Sequence, residues 1–193
     1  MRSYLFFLGL TLMIACSTTK ETDETMSIDQ LVSQMTLEEK VHMLHGSGKF
    51  TSAGVERLGV PALTSTDGPL GVREEIQNDS WAAAGWDNDF ATFFPAGGGL
   101  SATWNLDLAK QYGEAIGQEA RARNKHVLLA PAVNLIRSPL GGRNFEYFTE
   151  DPFLNKQLAV PYVLGLQAQD VISCVKHYAI NNQETLRGSI DVQ

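Results

Sequence analysis

Apolar residues recur along this chain in two spacings. Three stretches carry them at helical intervals, and four short runs between those stretches read as strands. Thr36 and Glu39 fit a capping box that leads into a short amphipathic helix with Val41 and Leu44. Residues 105–123 predict a second helix with Leu108, Tyr112, Ala115 and Ile116 on one face. Residues 152–167 predict a third, opened by Asp151 as N-cap with Pro152 at the first helical position. The strand runs are 61–65, leading to Asp67, then 91–94, 126–133 and 171–175. Pro95 closes the second run, and Gly97-Gly98-Gly99 reads as a tight loop.

Helical and extended patterns alternating in this way argue for an α/β fold with parallel strands and crossover helices. Function in such folds collects on the loops after the carboxyl ends of strands. Asp67, Arg143, Lys176 and His177 all fall at or after such ends. Four strands do not close an eight-stranded barrel, which takes ~250 residues. On pattern alone the expectation is either the N-terminal half of a barrel or a doubly wound open sheet.

The first residues follow another logic. Arg2 precedes a short apolar core over residues 4–15, too short for a spanning helix of ~20 residues. Ala15 stands just before Cys16, a pattern that resembles a bacterial lipoprotein signal over 1–16, with Cys16 lipidated. A plain secretory peptide is the alternative. Residues 17–27, rich in Thr, Glu and Asp, read as a flexible tether to a domain over 28–193. After Cys16 only Cys174 remains, so the mature chain has no intramolecular disulfide, and Cys174 reads as a small core residue.

The 193 residues are 44% hydrophobic and 19% charged, the balance of a globular protein. A net charge of −7 argues against a nucleic-acid partner. Gly46-Ser47-Gly48-Lys49 lacks the earlier glycine of a phosphate loop, because Met43 stands there. His42 and His45 are spaced for zinc on one helix face, but no third ligand is evident.

Asp67, Arg73, Arg143, Lys176 and Arg187 form the mixture a sugar site requires. Carboxylates accept from hydroxyls, Lys and Arg donate to them, and clustered charges neutralise one another. Each also has a plainer reading. Asp67 before Gly-Pro favours a turn; Arg143 and Glu146 suit a structural ion pair; Lys176-His177 suits a solvated strand end. Glu150 and Glu184 read as partners of nearby arginines rather than as catalytic carboxylates.

Three blocks carry a family resemblance. They are Asp67-Gly68-Pro69-Leu70-Gly71-Val72-Arg73, then Gly142-Arg143-Asn144-Phe145-Glu146, then Lys176-His177-Tyr178-Ala179-Ile180-Asn181-Asn182-Gln183-Glu184. Together they resemble the sugar-binding half of a family 3 glycoside hydrolase, from about residue 28 to the last. The resemblance implies the N-terminal portion of a TIM-type (β/α)8 barrel, incomplete in this chain. It implies that Asp67 grips two sugar hydroxyls and Arg73 orients it, while Arg143, Lys176, His177 and Arg187 also bind substrate.

The implied activity is retaining hydrolysis of terminal β-D-glucosyl residues, with two carboxylates about 5–5.5 Å apart. The resemblance puts nucleophile and acid beyond residue 193, so no catalytic residue is expected within the chain. It implies no metal or cofactor. The expected substrate is a β-linked gluco-oligosaccharide or aryl glucoside. The expected location is a bacterial membrane, facing the periplasm or the cell surface, through the lipid on Cys16. The third block lacks the second histidine and the glycines of the N-acetylglucosaminidase branch. A β-xylosidase-type activity, a non-catalytic sugar-binding lipoprotein and an incomplete product that does not fold stably are the other readings.

Overall fold

A computed structural model describes residues 26–73, 90–178 and 180–190. The expected leader, Cys16 and most of the tether lie outside them. The chain divides into two units, one ending at Gln34 and one beginning at Met35. The first contributes helix α1, Ile28–Gln34, where Ser27 Oγ accepts from Gln30 N–H at 3.3 Å. The second opens with α2, Leu37–Met43, capped by Thr36 and Glu39 in the predicted box. Its apolar positions remain exposed: Val41 by 51% and Leu44 by 85%.

A parallel sheet follows in the order β1-β2-β3, with β1 at Ser65–Asp67, β2 at Val127–Leu129 and β3 at Ile172–Ser173. Asp67 pairs with Leu129, and Val127 with Ile172, so the carboxyl ends lie side by side. Helix α4, Leu106–Ala122, precedes β2, and α5, Pro152–Gln167, precedes β3. Among the described residues no helix is long and apolar enough to cross a membrane.

Each strand is shorter than its apolar run, and each difference has a local cause. The run at 61–65 is shifted, because Ser52 N–H donates to Leu63 O and Ser65 N–H to Phe50 O. Its backbone groups are thus spent on residues 50–52, and the parallel pairing starts only at Ser65. Residues 91–94 form no strand. Thr92 N–H donates to the Glu119 carboxylate at 3.0 Å and Phe94 N–H to Leu70 O at 2.7 Å. No neighbouring strand shares these bonds, and Phe93 stays 81% exposed. The run at 126–133 is interrupted by Pro131, which has no N–H to donate. Beyond it a single bridge pairs Ala132 with Lys176.

The three glycines begin a helix instead of a loop: α3 covers Gly97–Ser101. Leu100 is buried there, and Ser101 Oγ donates to Phe148 O at 2.5 Å. Cys174 is exposed, contrary to the core position expected. Its neighbours Ile172 and Val175 are each half exposed as well.

The core lies between α4, α5 and the sheet, around Ile116, Leu128, Leu158, Tyr162 and Leu166. The buried face of α4 is Ala109, Tyr112, Gly113, Ile116, Gly117 and Ala120; Leu108 and Ala115 point away from it. This rotation follows from how closely α4 and α5 approach. A Cβ on Gly113 would stand 2.1 Å from Tyr162 O, and one on Gly165 would stand 2.1 Å from Lys110 O. Each glycine packs against the backbone of the opposite helix, which turns the larger Leu108 outward. Adding one methyl here is overpacking against main chain that cannot move aside. Gly113→Ala and Gly165→Ala are each expected to lower stability by about 2 kcal/mol. The midpoint of urea unfolding measures it, and a midpoint at the parent value would refute the close approach.

Candidate functional site

Asp67 is the last residue of β1. The chain turns back at once after it: Gly68 has φ of 126°, and a Cβ there would stand 1.8 Å from Gly71 O. Only glycine fits this turn, which folds residues 68–72 over the end of the sheet. Gly68 N–H donates to Asp67 Oδ1 at 2.9 Å and holds the carboxylate. From the adjacent edge, Lys176 N–H donates to Pro131 O at 3.0 Å and Val133 N–H to Lys176 O at 2.7 Å. These main-chain bonds bring the Lys176 side chain to the same end, where Nζ lies 2.8 Å from Asp67 Oδ1.

Arg143 and Glu146 come from the long loop after β2. Arg143 caps a single 3-10 turn, Asn144–Glu146, and the Arg143 Nε donates to Glu146 Oε1. Glu146 Oε2 lies 3.7 Å from Lys176 Nζ. Glu184 pairs with Arg143 at 3.4 Å and with Arg187 at 3.2 Å. Asp67, Arg143, Glu146, Lys176, Glu184 and Arg187 thereby line one cavity of about 680 Å³, with Phe93 and Phe145 beside them.

Burial makes the order of charges matter. Glu146 is 3% exposed, with Lys176 at 13% and Arg143 at 15%, while Asp67 is more open at 38%. Two cations and two carboxylates alternate through the cluster, the arrangement in which desolvated charges are tolerated. Burial weakens the hold of Arg143 on its proton, but the Glu146 bond and charge outweigh it, and the pKa rises. Burial first and the Glu146 charge next push the Tyr147 hydroxyl up to about 12.

His177 sits behind Arg143. Arg143 Nη2, which can only donate, lies 3.1 Å from His177 Nε2, so Nε2 is the acceptor. The ring proton is then on Nδ1, facing Asn134 Oδ1 at 3.1 Å. His177 N–H donates to the same amide oxygen at 2.9 Å, which settles the orientation of the amide. Tyr147, fully buried, donates its hydroxyl to Asn181 O and stands edge-on to the imidazole.

Of the residues expected at the site, Asp67, Arg143, Lys176 and Arg187 meet at the cavity. His177 joins them through Arg143. Arg73 is not part of the lining. Its guanidinium lies over the Phe50 ring, 5.1 Å from the centroid, and its N–H donates to Asp67 O at 3.1 Å. Glu146 and Glu184 pair with arginines, as the sequence suggests, and also line the cavity; the signal for Glu146 is its place three residues after Arg143. Glu150 is exposed. The His42 and His45 rings lie 5.0 Å apart, and among the described residues no group of three His, Cys, Asp or Glu could hold a metal ion.

Residues 13–189 match the model of the glycosyl hydrolase family 3 N-terminal domain. The chain belongs to that family. It is 52% identical to beta-glucosidase BoGH3A of Bacteroides ovatus, over 94% of this chain and 25% of the relative. It is 41% identical to an exo-alpha-(1->6)-L-arabinopyranosidase of Bifidobacterium longum, over 84% of this chain and 21% of that one. Beta-glucosidase 3B of Thermotoga neapolitana, solved in complex with glucose, superposes with a TM-score of 0.71 at 39% identity, covering 81% of this chain and 23% of that one. The chain spans about a quarter of the length of these relatives. The fold is thus TIM-barrel-type, and the parallel strands with α4 and α5 are part of that barrel.

The His177 surroundings carry a titration with a definite sign. Burial lowers its pKa below the usual 6.5, and the charges of Arg143 and Lys176 lower it further, against Glu146 and Asp67. As pH falls, the unfolded chain takes up this proton before the folded one. The stability from the neutral ring is therefore complete above 6.5 and declines as pH drops toward the folded value. An NMR titration of the imidazole is expected to give a midpoint below 6.5. A midpoint above it would reverse the assignment of Nε2 as acceptor.

Proposed function

We propose that this chain supplies the deepest sugar subsite of a β-glucosidase that removes terminal non-reducing β-D-glucosyl residues with retention. The observation that carries the reading is the Lys176–Asp67 contact at 2.8 Å on the wall of the cavity. It sets a charged acceptor beside a charged donor, the pair that vicinal hydroxyls of a pyranose recognise. Asp67 accepts from two hydroxyls, while Lys176 and Arg143 donate, and Arg187 closes one side. Arg73 steadies the backbone at Asp67 through its main-chain N–H bond to the Asp67 carbonyl. His177 contributes by fixing Arg143. Cleavage on this reading needs a nucleophilic carboxylate and a proton donor outside these residues, since retention proceeds through a covalent glycosyl intermediate. No metal or cofactor enters it.

The arabinopyranosidase relative favours one second reading, a site that takes a pentopyranose, as a β-xylosidase-type enzyme also would. The complete product of the gene, offered aryl β-glucoside, β-xyloside and α-L-arabinopyranoside, is expected to cleave the glucoside fastest. Faster release from either pentoside would replace the glucosidase reading, and no release from any would end it. Asp67→Ala is expected to weaken glucose binding by about a hundredfold in calorimetry, because it removes charged hydrogen bonds to two hydroxyls. Unchanged binding would remove the subsite.

The leader supports a lipid anchor on Cys16 that holds the protein on a bacterial membrane, facing the periplasm or the cell surface. Cys16→Ala is expected to move it from the membrane pellet to the soluble fraction and to abolish fatty-acid labelling. Retention of the label would refute the anchor.

A further inference from the structure

We propose that Glu146 is a positioning residue for the sugar subsite, acting through Arg143 and Lys176 rather than on the sugar itself; the inference rests on the sugar-site reading above. Its two carboxylate oxygens are engaged by different cations. Oε1 accepts from Arg143 Nε, and Oε2 faces Lys176 Nζ at 3.7 Å. The local backbone enforces the first contact. A 3-10 turn has three residues per turn, so positions three apart eclipse, and Glu146 falls over Arg143. The second contact joins strands, because Lys176 arrives from the end of β3.

Lysine has a flexible four-carbon stem and a compact charge, so one partner does not fix it. Here Nζ stands between Asp67 Oδ1 and Glu146 Oε2, which confines it to one place on the cavity wall. The guanidinium of Arg143 is held from two sides, by Glu146 at Nε and by His177 Nε2 at Nη2. Glu146 is itself only 3% exposed, and its negative charge keeps two buried cations from repelling each other. Glu146→Gln keeps the shape and removes the charge. Lys176 then leans wholly on Asp67, which also has to serve the sugar.

Calorimetry with glucose tests this in the complete gene product, comparing the parent with Glu146→Gln, Glu146→Asp and Asp67→Ala, each with its thermal unfolding midpoint. Glu146→Gln is expected to raise Kd by about tenfold, or about 1.4 kcal/mol, at an unchanged stoichiometry of folded sites. Glu146→Asp, which keeps the charge on a shorter stem, is expected to fall between. Parent-like Kd in Glu146→Gln overturns the inference, and so does a reduced stoichiometry at parent Kd, the mark of a residue that serves folding alone. If Glu146→Gln does not fold, Glu146→Asp decides: weakening of threefold or more supports the inference, and a parent Kd overturns it. Weakened binding in Asp67→Ala with normal binding in the Glu146 variants sinks only the positioning role. Normal binding in Asp67→Ala sinks the sugar site, and this inference with it.

Discussion

Mutual neutralisation of charge at the ends of three strands is the constraint on which the site depends. A lysine and an arginine lie largely out of water beside a nearly buried glutamate. Removing charge from water costs several kcal/mol per ion unless partners replace the solvent. Alternation of sign supplies those partners, with Asp67, Lys176, Glu146 and Arg143 in sequence and Glu184 and Arg187 at the open side. Asp67 is the most exposed of the inner four, so the cluster is open to a ligand where an acceptor stands.

The cluster is only as well placed as the strands beneath it. Parallel pairing sets Asp67 level with Leu129, and bonds from Pro131 and Val133 carry the same alignment to Lys176. The helices that join the strands meet through Gly113 and Gly165, where main chain touches main chain. Packing at that distance leaves little slack for the sheet to slide. A cavity assembled from residues 67, 143 and 176 thus inherits its geometry from a helix crossing that contains none of them.

Local signals were legible in the sequence, and those that depend on a partner were not. The bounds of α5 and the caps at Thr36 and Asp151 follow from residues within one turn of each other. The buried face of α4 was legible only in part: Tyr112 and Ile116 lie on it as expected, but Gly113 and Gly117 carry no hydrophobic side chain to mark the rest. Strand lengths depended on where backbone groups found partners, as residues 61–65 and 91–94 show. The charged residues of the site were readable from strand ends and from family blocks. Glu146 was visible only as a neighbour of Arg143, since its second partner lies thirty residues further on. Cys174 went the other way: an apolar run does not reveal which of its faces has a layer above it.

The amide of Asn134 has a consequence beyond holding a loop. By accepting from both the main chain and the ring of His177, it dictates the electrical polarity of the imidazole. The side turned toward Arg143 is a lone pair, and the one ring proton is committed to Asn134, so this histidine is wired as a brace. Its hold on Arg143 therefore depends on Nε2 keeping its lone pair free.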